Sequence, residues 1–265
     1  MNKNFPIGIF DSGLGGLTVL NNLQACFPNE TFIYFGDTAR VPYGNKSDEK
    51  IIDYSSRIID YFLNLQVKLI VCACNTSSAI AIKHLRNKYP IPIIDVITPI
   101  ANAINEHTKN NVVGIIGTRA TINSSAYKNK IRKINSKIKV IEKASPLLVP
   151  IIENGLQKTE IANIVLKQYL SHFDNTNLDC LILGCTHYPI MLKNFQSILA
   201  KNIKTVTSGP YVAKDLRTYL KKTNLDAKKK SGTCKFIVTD FPQNFHKQAN
   251  DFLNKKIKHI EKVKI

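Results

Sequence analysis

The sequence contains no apolar run approaching the roughly 18 residues that a membrane-spanning helix requires. It passes from Met1 through polar residues straight into a short strand-like segment, without the apolar stretch of a secretory leader, so no membrane partner and a cytoplasmic location are expected. Cysteine is sparse, six in 265 residues. The six are scattered along a chain large enough to need no covalent staples, which excludes a disulfide-built miniprotein and predicts reduced thiols. C-A-C at Cys72–Cys74 and C-T-H at Cys185–His187 lack the usual paired C-x₂₋₄-C spacing of zinc sites, so no metal site is expected. Gly13-Leu-Gly-Gly16 fails G-x-G-x-x-G because Thr18 stands at the third glycine position, and no G-K-[ST] follows, so nucleotide phosphates are not expected either. Negative charge is scarce too: 19 Asp+Glu against 37 Lys+Arg leave a net +18. Such an excess raises nucleic acid or anionic ligands as partners. No helix-turn-helix, zinc-finger or RNP pattern accompanies it, however, and the basic residues lack regular aromatic interleaving, so nucleic acid is not expected as a partner. Residues 217–265 hold 13 basic and 4 acidic residues, half of the excess, which reads as a solvated lysine-rich surface.

What is present is the composition of an ordinary globular protein, 44% hydrophobic and 21% charged. At about 150 residues per domain, this length predicts two domains or one large one. Apolar segments of strand length occur at Ile7–Phe10, Phe32–Phe35, Lys68–Ala73, Ile91–Val96, Val112–Ile116, Ile138–Ile141 and Cys180–Leu183. Amphipathic stretches separate them: Leu17, Leu20 and Leu23 form one helical stripe, and Ile51, Ser55, Ile58, Ile59 and Phe62 form another. Short buried strands alternating with helices predict an α/β fold with mostly parallel sheets. The two halves echo each other, Ile7–Ser12 resembling Val113–Thr118 and Leu69–Asn75 resembling Asp179–Thr186. Gly8 to Cys74 spans 66 positions and Gly114 to Cys185 spans 71. This order and scale predict a duplicated α/β domain whose halves face each other across one cleft.

In parallel sheets, ligands bind beyond the carboxyl ends of the strands, where helix N-termini offer free N–H groups. Asp11, Ser12, Cys74, Asn75, Thr118, Cys185 and Thr186 all fall at such ends. Cys74 and Cys185 each follow a buried strand and precede polar residues, so they are candidate acid–base thiols acting on one ligand from opposite sides; the alternative is a pair of small buried hydrophobes. His187, two positions after Cys185, is placed to polarise a thiol or a carboxylate. The other five histidines are expected on the surface. Asp11 is either functional or a cap. The glycines after it serve a tight turn and close backbone approach to a ligand. Asp37-Thr-Ala-Arg-Val-Pro-Tyr-Gly44 carries turn signals at Pro42 and Gly44. It is either a plain surface loop or one that brings Arg40 and Tyr43 to the cleft.

Together, F-D-S-G-L-G-G-L-T-V from Phe10, F-G-D-T-A-R-V-P-Y-G from Phe35, C-N-T from Cys74, G-T-R-A-T from Gly117, L-V-P-I-I-E from Leu148 and L-G-C-T-H-Y-P from Leu183 resemble the glutamate racemases of the aspartate/glutamate racemase superfamily. The similarity runs from Phe5 to about Met191. It implies two similar three-layer α/β domains related by a pseudo-twofold, with the active site in the cleft between them. The boundaries expected are 1–98 plus 210–265 for a discontinuous first domain and 99–209 for the second, with hinge crossings near 98–101 and 208–212. The resemblance further implies cofactor-independent interconversion of L- and D-glutamate, feeding peptidoglycan synthesis. Cys74 would act on D-glutamate and Cys185 on L-glutamate, with Asp11 supporting Cys74, His187 supporting Cys185, and Glu153 close by. Substrate contacts carry over to Asp11, Ser12, Tyr43, Gly44, Asn75, Thr76, Thr118, Thr186 and His187. The partners expected are glutamate and, in a homodimer, a second copy of the chain; a secondary contact with DNA gyrase, as for some family members, stays open. Hydroxyls of Ser12, Thr76 and Thr186 in a water-poor cleft suit the stabilisation of a carbanion-like state beside a carboxylate. Beyond Met191 no motif is assignable, and Thr207-Ser-Gly209 lacks the acidic residue that the family more often has before Ser-Gly.

Overall fold

The computed structural model describes residues 2–228, 232–240, 245–253, 257 and 259–265. Lys229, Lys230, Lys255, Lys256 and Lys258 of the basic C-terminal segment lie outside the described residues. The strands are β1 (Ile7–Asp11), β2 (Phe32–Gly36), β3 (Leu69–Cys72), β4 (Ile93–Asp95), β5 (Val112–Gly117), β6 (Lys139–Ala144), β7 (Cys180–Gly184), β8 (Lys204–Val206), β9 (Cys234–Val238) and β10 (Ile260–Lys262). They form a six-stranded sheet, β10-β9-β2-β1-β3-β4, and a four-stranded sheet, β6-β5-β7-β8. Every strand pair is parallel.

Burial on both faces explains why the strands read as unbroken apolar runs. β1, β2, β3 and β7 are buried throughout. On one side of the larger sheet, Leu17, Leu20 and Leu23 of helix Leu17–Cys26 pack with Val212, Leu216 and Leu220 of helix Ser208–Thr223. On the other, Ile51, Ile58, Ile59 and Phe62 of helix Asp48–Asn64 cover Phe10, Phe35 and Ile70. Ser47 caps that helix by accepting from the Lys50 N–H at 3.4 Å, and Asp48 and Glu49 complement the positive end of its dipole. Helices on both faces likewise enclose the smaller sheet, giving three layers again. Each fully buried Leu or Phe in these layers contributes about 1.5–3 kcal/mol, and Leu216→Ala would cost about 2–5 kcal/mol.

The strand order β2-β1-β3-β4 recurs as β6-β5-β7-β8. In both, the connection changes direction beside the first strand of the repeat, so the switch points lie between β1 and β3 and between β5 and β7. Ligand sites in open parallel sheets form at such points. The difference between the sheets is the pair β9 and β10, which extends the larger sheet beyond β2. At the amino ends of the central strands, the buried Lys68 ammonium is saturated by Glu30 at 2.5 Å and by the carbonyls of Lys3 and Leu225 at 2.7 and 2.8 Å. Full pairing is what makes a buried ammonium tolerable.

Candidate active site

The carboxyl ends of the two switch points face each other. From the larger sheet come Asp11 and Ser12 after β1 and Cys74, Asn75 and Thr76 after β3; from the smaller come Thr118 after β5 and Cys185, Thr186 and His187 after β7. Hydrogen bonds join the halves at this level. The Thr186 hydroxyl donates to Asp11 Oδ1 at 3.0 Å, and the Thr18 hydroxyl donates to the Thr186 carbonyl at 3.0 Å. The Thr76 and Thr118 hydroxyls meet at 3.0 Å, and Thr121 joins them at 2.9 Å from Thr118. Asn75 Nδ2 donates to the Tyr127 hydroxyl at 2.8 Å, whereas Asn75 Oδ1 is buried without a partner. A buried acceptor left unpaired is costly unless a ligand meets it.

These residues enclose one cavity, lined by Ser12, Pro42, Tyr43, Gly44, Cys74, Asn75, Thr76, Thr118, Val149, Cys185, Thr186 and His187. Its volume is about 10 Å³, enough for about one water molecule. An amino acid does not fit in that volume.

Glycines allow the halves to close this tightly. A Cβ on Gly15 would lie 2.3 Å from His187 Nδ1, and one on Gly44 would lie 2.4 Å from the Thr118 Cβ. The close approach at Gly15 is therefore to the opposite half of the protein, where the sequence suggested approach to a ligand. Asp11 does not cap the following helix; its Oδ2 accepts from the Gly13 N–H at 2.9 Å inside the turn.

The two thiols have opposite surroundings. Cys74 sits at the N-cap of helix Asn75–Ile80 and points at the Ser12 hydroxyl, 3.9 Å away. Burial, and then the negative charge of Asp11, push its thiol up to about 12 despite the Ser77 N–H. Cys185 Sγ lies 3.8 Å from His187 Nδ1, and His187 Nε2 lies 2.5 Å from Glu153 Oε1. Burial alone would pull His187 down, but its hydrogen bonds to Cys185 and Glu153 outweigh that and hold it well above its usual value. Burial would raise Glu153, and His187 together with the Leu14 N–H, 3.1 Å away, holds it below the usual carboxylate value instead. Both shifts describe an imidazolium–carboxylate pair with Cys185 at its other end.

Tyr43 and Gly44 reach the cavity, although the Tyr43 hydroxyl is turned away to Asp37 Oδ2 at 2.5 Å. Arg40 does not come to the cleft. Its guanidinium pairs with Asp37 at 3.0 Å and donates to the Ile265 backbone oxygen at 2.7 Å, because a buried carboxylate lies one turn before it. His84, His172, His246 and His259 are exposed, but His107 is half-buried against the ring of Tyr211 and donates or accepts at its hydroxyl. Sequence reasoning missed Asp37, Thr121 and Tyr127. Asp37 had a signal, since it follows a buried strand as Asp11 nearly does, whereas Thr121 and Tyr127 lie on helices that only the packing brings to the cleft. Among the described residues no three His, Cys, Asp or Glu side chains gather as a metal-binding group, and no helix is long and apolar enough to cross a membrane.

Residues 16–210 match the Asp/Glu/hydantoin racemase family model. A glutamate racemase of Geobacter metallireducens is 40% identical over 260 residues, covering 98% of this chain and 96% of that protein. Among solved structures, the glutamate racemase of Francisella tularensis in complex with D-glutamate superposes with a TM-score of 0.92 at 41% identity, over 99% of this chain and 98% of that one. A glutamate racemase isoform of Bacillus anthracis superposes with a TM-score of 0.95 at 32% identity, over 100% and 99%. With two switch points facing each other, a thiol at each, and this likeness across nearly its whole length, the chain belongs to the Asp/Glu/hydantoin racemase family and, within it, to the glutamate racemases.

Proposed function

We propose that the chain interconverts L- and D-glutamate by two-thiol proton transfer, without an organic cofactor, and so supplies D-glutamate for peptidoglycan. The observation that supports it most is that Cys74 and Cys185, from two different sheets, line a single closed cavity among hydroxyl donors. A thiolate on one face takes the α-proton, leaving the electron pair on the α-carbon and into the carboxylate. The thiol on the other face delivers its proton to that carbon. The product has the opposite configuration, the two sulfurs have exchanged protonation states, and nothing else is consumed. Cys74 acts on D-glutamate and Cys185 on L-glutamate. Asp11 assists Cys74, and the His187–Glu153 pair assists Cys185.

An α-proton beside a carboxylate is weakly acidic, so the negative charge that builds on the carboxylate needs fixed donors. Ser12, Asn75, Thr76, Thr118 and Thr186, with the backbone of Tyr43 and Gly44, bind the substrate and supply them. The neutral thiol that burial maintains at Cys74 is a proton donor near neutral pH.

Entry requires the halves to separate. The first domain comprises 1–98 and 210–265, the second 99–209, and the crossings at 98–101 and 208–212 act as hinges. Glutamate should slow amide exchange at both crossings; unchanged exchange there would count against hinge motion. The location is cytoplasmic and the working unit a homodimer, which sedimentation equilibrium tests. A secondary contact with DNA gyrase is tested directly by a supercoiling assay with the purified chain.

The activity itself is read by circular dichroism on purified protein without added cofactor, offering L-glutamate and L-aspartate separately. Loss of the glutamate signal alone is expected. Turnover of aspartate alone would overturn the assignment.

A further inference from the structure

We propose that Asp37 is a positioning residue of the active site, holding the Tyr43–Gly44 segment at the cleft and tying that segment to β9 and the C-terminal residues. This rests on the proposed racemase activity for its kinetic consequence, although not for its geometry.

Asp37 follows the last residue of β2, and its N–H donates to the Asp11 carbonyl at 3.0 Å. Its side chain is fully buried. A buried carboxylate is tolerable only when saturated with donors, and here four bonds converge on it. The Tyr43 hydroxyl donates to Oδ2 at 2.5 Å and the Thr239 hydroxyl to Oδ1 at 2.7 Å. The Arg40 guanidinium reaches Oδ1 at 3.0 Å and Oδ2 at 3.1 Å. Each donor leads elsewhere. Tyr43 lines the cavity, and the adjoining Gly44 packs against Thr118 of the opposite half. Thr239 directly follows β9 and accepts from the Ala39 N–H at 3.0 Å. Arg40 continues to the Ile265 oxygen at 2.7 Å and lies over the Tyr54 ring at 4.8 Å, and Tyr54 in turn packs on Tyr43 with ring centroids 5.7 Å apart.

The loop is thus a closed circuit with Asp37 at its centre. No cavity-lining residue comes from β9 or β10, and the side-chain link from Thr239, directly after β9, to the cavity-lining Tyr43 runs through Asp37. Burial and the Asp37 charge keep the Tyr43 phenol protonated and donating. An apolar side chain would join β2 to β9 equally well; only a multi-acceptor group fixes Tyr43 and Arg40 in one orientation at once.

The test compares Asp37→Asn, Tyr43→Phe, Thr239→Val and the Asp37→Asn/Tyr43→Phe double variant with the wild-type chain. Steady-state constants for glutamate are measured together with the rate at which iodoacetamide modifies Cys74, followed by peptide mass spectrometry, and with thermal unfolding. KM should rise about tenfold in Asp37→Asn and about threefold in Tyr43→Phe and Thr239→Val, with kcat less affected. The double variant should be no worse than Asp37→Asn, because both changes break the same circuit. Cys74 should be modified faster in all four. Should Asp37→Asn not fold, the other single variants carry the test, each removing only a hydroxyl. A lowered unfolding temperature with wild-type KM and a wild-type Cys74 rate would reduce Asp37 to a structural role and overturn the proposal. If the wild-type chain did not racemise glutamate, yet Cys74 modification still accelerated in the variants, the racemase reading would fall and the positioning role would stand.

Discussion

The two halves repeat one topology and differ in electrostatics at the repeated position. After β3 the thiol of Cys74 faces a hydroxyl and a nearby carboxylate, Ser12 and Asp11, and is held protonated. After β7 the thiol of Cys185 faces an imidazolium that Glu153 sustains. A carboxylate opposes a second negative charge, whereas a cation stabilises one. The repeated topology therefore places two thiols at matching positions, and their neighbours make them inequivalent.

The largest perturbation removes either thiol. Cys74→Ser and Cys185→Ser should each lower racemisation by about 10³-fold or more, read by circular dichroism. In deuterium oxide the first should still exchange the α-proton of L-glutamate and the second that of D-glutamate, read by proton NMR. Either variant keeping full activity would end the two-thiol scheme.

A smaller effect tests what distinguishes the halves. Glu153→Gln and His187→Asn should lower kcat/KM by about 10–10²-fold. Because the two enantiomers are equal in free energy, kcat/KM must fall equally in both directions, so any asymmetry appears in kcat and KM separately. Losing Glu153 removes an interaction that raises His187, so the alkaline limb of the Glu153→Gln profile should move to lower pH. The same pair sets a stability window. His187 is raised from 6.5, so its contribution is complete below that value and lost as pH rises through its folded value. Glu153 is lowered from 4.5, so its contribution is complete above that value and lost as pH falls through its folded value. Urea unfolding should show wild type and His187→Asn furthest apart between these two pH values.

The inequivalence itself is read by thiol modification. Near neutral pH iodoacetamide should modify Cys185 faster than Cys74 by about tenfold, and the Cys74 rate should still be climbing well above pH 9. Equal rates would erase the contrast. The smallest effect is expected for Thr18→Val, which loses the 3.0 Å bond across the halves to the Thr186 carbonyl. It should cost about 1 kcal/mol in unfolding free energy and change kcat/KM less than threefold.

How much of this was legible in the sequence depended on burial. β1 to β7 read clearly because both faces of most of them are covered, and both thiols stood out as ends of such strands. β8 to β10 did not. Each is short or interrupted by an exposed lysine, Lys204, Lys235 or Lys262, as an edge or near-edge strand permits. Glu153 was named through resemblance alone. It closes helix Leu148–Glu153, and its 2.5 Å bond to His187 spans 34 residues that no local pattern connects. Arg40 and Tyr43 looked alike in the turn they share, and only the buried Asp37 beside them decided which would reach the cleft.

The central claim, one thiol on each face of one carbon, is tested most directly by a crystal structure of the chain with glutamate bound. The account predicts Cys74 Sγ and Cys185 Sγ on opposite sides of the α-carbon, with the α-carboxylate among the hydroxyls of Ser12, Thr76 and Thr186. Both sulfurs on the same face, or either one out of reach of the α-carbon, would contradict it.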